Sequence, residues 1–74
     1  MITKEHFRKI VGDLIRETRT QKLQISQNAL ADRCDMERTY ISSIERGEKN
    51  VSFYAIYKII SALEIDPTEF FNKI

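Results

Sequence analysis

A small all-α domain of five short helices is what the sequence predicts, and three observations predict it. The 74-residue chain holds one proline, Pro67, and two glycines, Gly12 and Gly47, too few for the turns of a sheet protein. Apolar residues recur at three-to-four-residue spacing in several successive segments. Between those segments stand Ser, Thr and Asp residues where helix N-caps belong. Residues 1–74 read as one domain, with no Gly/Ser linker, repeat or low-complexity tract.

The first helix is expected from Lys4 to Thr20, with Thr3 as N-cap. Phe7, Ile10, Val11, Leu14 and Ile15 form its apolar stripe among Arg8, Lys9, Asp13, Arg16 and Glu17. Gly12 lies inside that stripe at a cost of up to about 1 kcal/mol against alanine, which suits a place where another helix comes close. Ser26 caps a second helix, Gln27 to Arg33, with Leu30 and Ala31 inward. Met36, Tyr40, Ile41 and Ile44 renew the period and set a third, Arg38 to Arg46. Only Cys34 to Glu37 separate the two, the connection length of a helix-turn-helix. Gly47 stands where a left-handed cap would end the third helix.

Ser52 opens a fourth helix with Phe53, Ile56, Ile59, Ile60 and Leu63 inward. Asp66-Pro67-Thr68-Glu69 combines an N-cap, a first-turn proline and a capping-box glutamate, and starts a short fifth helix carrying Phe70, Phe71 and Ile74. Helices two and three hold too few apolar residues to stand alone. The other three are their scaffold, and the outward residues of the pair are what the fold presents.

Composition removes several function classes. Cys34 is the only cysteine and His6 the only histidine, so an intrachain disulfide and a zinc cluster are excluded. Asp32, Asp35 and Glu37 do not match a calcium loop. No metal, cofactor or small-molecule ligand is expected, and self-association remains as the source of extra stability for so small a core. Net charge is +1 from twelve basic and eleven acidic residues, which rules out a basic tail but allows a local basic face. Charges throughout MITKEHFRKIVGDLI exclude a signal peptide, and no run of apolar residues could span a membrane, so a soluble cytoplasmic protein is expected. No Ser/His/Asp or Cys/His arrangement can be assembled, so an enzyme is not expected. Cys34 reads as a small core hydrophobe in preference to a redox switch, and His6 as a solvated surface group.

Arg16-x-x-Arg19 in helix one, followed by SQNALADRCDMERTYISSIERG, resembles the phage Cro/repressor-type helix-turn-helix family. ERTYISSIERGEKNVSF and the later ALEIDPTEFF look particularly like the controller proteins of bacterial restriction–modification systems. The resemblance runs from about Phe7 to Phe71. It implies a lambda-repressor-like domain and a sequence-specific regulator of transcription on double-stranded DNA, acting as a homodimer, with RNA polymerase a candidate partner. It also implies an ion pair between Arg19 and Glu45 that holds the third helix. Two departures stand out: TQKLQIS lacks the family's glycine before the SQ motif and is one residue longer, and Asp35 occupies the turn position where glycine is common. A phage-like general repressor and an antitoxin-like protein-interaction module are the alternative uses of this scaffold.

A helix in the major groove needs short polar side chains near its N-terminus, with phosphate contacts on either side. Arg38 can pair with guanine, Thr39 can pack on a thymine methyl, and Ser43 lies one turn on. Glu37 is either an acceptor for cytosine or a first-turn acid that suits the helix dipole. Gln27 at the start of helix two, Tyr40, Arg46, Lys49 and Asn50 are the expected phosphate contacts, with Arg16 a further one; Tyr40 reads alternatively as a half-buried core ring. Ser42 is expected to pack inward. Ile65, Phe70, Phe71 and Ile74, with Tyr54 or Tyr57, are the candidate dimer interface, although either phenylalanine could be core.

Overall fold

The structure is a computed structural model that describes residues 1–74. The Thr3 hydroxyl accepts from the His6 amide at 3.1 Å and starts α1, Lys4–Glu17. The regular helix stops three residues before the expected end. The Thr18 and Thr20 hydroxyls bond back to the carbonyls of Leu14 and Arg16 at 2.8 and 2.9 Å, a pattern that bends helices. The chain then widens into a π-helical turn, Thr18–Leu23, which ends on Gln24 in the left-handed region at φ 54°. The turn runs into the TQKLQIS link, and Gln24 there takes the left-handed conformation for which glycine is usual.

The Ser26 hydroxyl accepts from the Ala29 amide at 3.0 Å and opens α2, Gln27–Cys34. That helix closes on Asp35 at φ 55°, and the Met36 amide reaches back to the Ala31 carbonyl at 2.9 Å. The chain turns through Met36 and Glu37 into α3, Arg38–Glu45. Gly47, at φ +76°, lets the backbone leave α3 by a left-handed turn. Ser52 caps α4, Phe53–Ala62, and Asp66 caps α5, Pro67–Asn72, by accepting from the Thr68 amide at 2.8 Å. Glu69 makes no bond back to the Asp66 amide, so the expected capping box is not formed.

Val11, Ile15, Leu30, Ile41, Ile44, Ile59, Leu63 and Phe70 are each at most 2% exposed and form one core to which all five helices contribute. Gly12 explains how α1 sits so close to α3. A Cβ there would lie 2.5 Å from the Ile44 carbonyl oxygen and 2.7 Å from that of Glu45. Two aromatic residues leave the core where burial was expected. Phe7 is 40% exposed because it lies at the open N-terminal end of α1, and Phe53 is 89% exposed because, as the first residue of α4, it stands at the margin of the Ile56 and Ile60 face where the core ends.

Candidate nucleic-acid interface

The outer face of α3 is a shallow polar strip lined by Arg38, Thr39, Ser42, Ser43 and Arg46, with no acidic or apolar side chain in it. Helical spacing aligns Arg38, Ser42 and Arg46 on one row and Thr39 and Ser43 on the next. Arg38 and Thr39 are exposed, and the Ser43 hydroxyl donates to the Thr39 carbonyl at 3.0 Å. Ser42 was expected to pack inward. Instead it is half-buried at the edge of the strip, and Arg46 bonds to its hydroxyl. Glu37 is the N-cap residue of α3; its exposed side chain makes no capping bond. Tyr40 is half-buried with its ring against the core.

Arg46 lies back along α3 and is paired with Glu48, Nε–Oε2 at 3.0 Å and Nη2–Oε1 at 3.1 Å. The hydrogen bonds of this pair push the Arg46 guanidinium further up and the Glu48 carboxyl below its ordinary value. On α1, Arg16 shares Asp13 with Lys9, at 3.0 and 2.8 Å, and the Lys9 hydrogen bond is the largest influence lowering the Asp13 pKa. Lys49 and Asn50 are exposed in the segment after Gly47. The Asn50 Oδ1 accepts from Arg8 Nε at 2.8 Å, across 42 positions of sequence. Arg8 had no local signal to single it out from the other charges of α1.

Behind the strip, Arg19 and Glu45 are buried together. Arg19 Nη1 also donates to the Ile25 carbonyl at 3.0 Å, so the pair pins the approach to α2 as well as the end of α3. Gln27 donates its side-chain amide to Glu45 Oε1 at 3.0 Å. The side chain expected to face a phosphate is thus turned inward, leaving one amide hydrogen and the backbone N–H at the α2 start for an anion. No buried side-chain polar atom lacks a partner.

Residues 15–70 match the family model described as helix-turn-helix. The chain is 45% identical over 64 residues to control protein C.BamHI of Bacillus amyloliquefaciens, covering 86% of this chain and 79% of that protein. It is 40% identical over 63 residues to control protein C.MunI of Mycoplasma sp, covering 85% of each. Among solved structures, the restriction-modification controller protein C.AhdI from Aeromonas hydrophila matches with a TM-score of 0.82 at 38% identity, over 88% of this chain and 97% of that one. The chain belongs to the restriction–modification controller proteins.

The apolar surface of this controller protein shares no lining residue with the polar strip. Phe7, Val51, Phe53, Ile56 and Phe71 line one depression of about 210 Å³, with Tyr54, Tyr57 and Ile74 also exposed. Phe70 is a correction to the expected interface. It is 1% exposed, part of the core, and meets Phe71 edge-on at 5.4 Å between ring centroids. Ile65 is half-buried and packs on the same core. No helix is long and apolar enough to cross a membrane, and no group of three or more His, Cys, Asp and Glu gathers.

Proposed function

We infer that this controller protein regulates transcription by seating α3 in the major groove of duplex DNA as one half of a homodimer. The observation that carries the reading is the acid-free strip of Arg38, Thr39, Ser42, Ser43 and Arg46, held from behind by the buried Arg19–Glu45 pair. One structure of the relative C.Esp1396I is of its tetramer in complex with its natural 35-base-pair operator, and another is of C.Esp1396I bound to a 25-base-pair operator site. Structures of its variants replace an arginine, a threonine and a tyrosine at three consecutive positions. This chain has one Arg-Thr-Tyr run, Arg38–Tyr40, at the start of α3.

In this reading Arg38, Thr39 and Ser43 read base edges, with Glu37 at the rim of the groove. Lys49 and Asn50 hold the backbone on one side, and the α2 start at Gln27 holds it on the other. Tyr40 and Arg46 reach phosphate from the flanks of α3, and Arg16 does so from α1. Phe71 and Ile74, with Phe53 and with Tyr54 or Tyr57, cover the matching face of a second copy. Occupancy then follows protein concentration through coupled dimerisation and DNA binding. Repression works by occlusion and activation by contact with RNA polymerase, at a restriction–modification locus that includes its own gene.

Selection from a randomised duplex library tests this directly. The expected product is a palindrome with half-sites about one helical turn, roughly 34–36 Å, apart. Arg38→Ala relaxes preference at one base position by about 1–3 kcal/mol, whereas Lys49→Ala weakens all sequences alike and lowers the salt slope by about one. Absence of affinity for any duplex at about 50 mM salt overturns the reading and favours a protein-interaction module.

A further inference from the structure

We propose that Lys4 and Arg8 form a further phosphate-binding edge on the N-terminal turns of α1, and that Arg8 also positions Asn50 for the same task. The proposal rests on the DNA reading above and adds residues that it does not contain. Lys4, Arg8, Lys49 and Asn50 rim a cleft of about 380 Å³ with Phe7 and Val51 in its apolar floor and no acid in its lining. The ion pairs of the molecule are Lys9–Asp13, Arg16–Asp13, Arg19–Glu45, Arg33–Glu64 and Arg46–Glu48; none uses Lys4, Arg8 or Lys49. Three cations therefore converge on one cleft without an ion pair of their own, the acid beside Lys49, Glu48, being bound to Arg46.

The hydrogen bond between Arg8 and Asn50 gives the cleft its polarity. A guanidinium only donates, so the Asn50 atom facing Arg8 is the carbonyl oxygen. That leaves the Asn50 Nδ2 hydrogens and both Arg8 terminal nitrogens as donors not used within the molecule. The segment is also fixed in place, because Gly47 packs against the α1 backbone, where an added Cβ would sit 3.3 Å from the Lys9 Cα. A donor-rich, cationic cleft joined to the end of the groove-reading helix suits the phosphodiester oxygens beside a half-site, with the apolar floor against the sugar.

The test is a salt series of dissociation constants for wild type, Lys4→Ala, Arg8→Ala, Arg8→Gln, Asn50→Ala and the Arg8→Ala/Asn50→Ala double variant, on the selected operator and on random duplexes. Circular dichroism melts identify any variant that does not fold. Arg8→Ala is expected to weaken every duplex by the same factor, about fivefold at 0.1 M salt, and to lower the salt slope by about one. Lys4→Ala moves both in the same direction. Arg8→Gln loses the slope but retains a donor for Asn50, so it weakens binding less than Arg8→Ala. The double variant falls short of the product of the two single losses. Folded variants with the wild-type slope, losses confined to the operator, or independent Arg8 and Asn50 effects overturn the proposal while leaving the DNA reading intact. A wild type that binds no duplex removes both.

Discussion

Arg19 and Glu45 meet through two parallel bonds, Nε–Oε2 at 2.7 Å and Nη2–Oε1 at 2.9 Å, with side chains only 11% and 3% exposed. The pair joins the π-helical turn after α1 to the last residue of α3. Removing one partner leaves the other charge buried without its counter-ion. Glu45→Ala is therefore expected to destabilise the fold by about 3–5 kcal/mol, measured by urea denaturation, whereas replacing both residues by Met and Leu recovers much of that loss.

Gly12→Ala sets helix propensity against sterics. In an open helix the change would add up to about 1 kcal/mol of stability. Here the new methyl would collide with backbone oxygens of Ile44 and Glu45, which cannot move without shifting α3. A net loss of about 1–3 kcal/mol is expected from thermal melts, together with weaker operator binding.

Asp35→Gly has the opposite sign. Asp35 holds φ 55° with a side chain that disfavours it, and glycine removes that cost. A gain of up to about 1 kcal/mol is expected from the denaturation midpoint, with unchanged DNA selectivity.

Glu48→Gln frees Arg46 from its neutralising partner. The variant is expected to bind all duplexes more tightly and to steepen the salt slope by about one, the reverse of Lys49→Ala. Filter-binding titrations at three salt concentrations would detect either direction.

Cys34 is 2% exposed, and burial pushes its thiol above the ordinary value of 9.0. Alkylation of the native protein at pH 7.5 should therefore follow the unfolding rate. Because the folded thiol resists ionisation more than the unfolded one, its contribution to stability is intact below pH 9.0 and is lost as pH rises beyond it. A fast reaction in native buffer would contradict this placement.

The helices were legible wherever a cap preceded a periodic stripe: Thr3, Ser26, Ser52 and Asp66 each cap the helix they were expected to cap. The period told which side of a helix is apolar but not how far its neighbours reach, so Phe7 and Phe53 were placed in a core that ends before them. The exposed position of Arg38 and Thr39 was legible because they open a helix whose start the apolar period marks. Gln27 with Glu45 and Arg8 with Asn50 were not, since each pairing depends on side chains brought together from distant positions. The Arg19–Glu45 pair was legible only through the family likeness. Phe70 and Phe71 show the limit from the other side, because two identical neighbours on a short helix give no sign of which one turns inward.

The widened turn at Thr18–Leu23 has a consequence for how such chains can vary. One residue added to a regular α-helix swings everything beyond it by about 100°. A turn that grows in girth takes up the addition without that swing, so the apolar stripe of α1 and the cap at Ser26 both keep their faces. The segment works as slack in a taut frame, handing the chain from α1 to the Ser26 cap of α2 through a wider turn without rotating either helix away from the core.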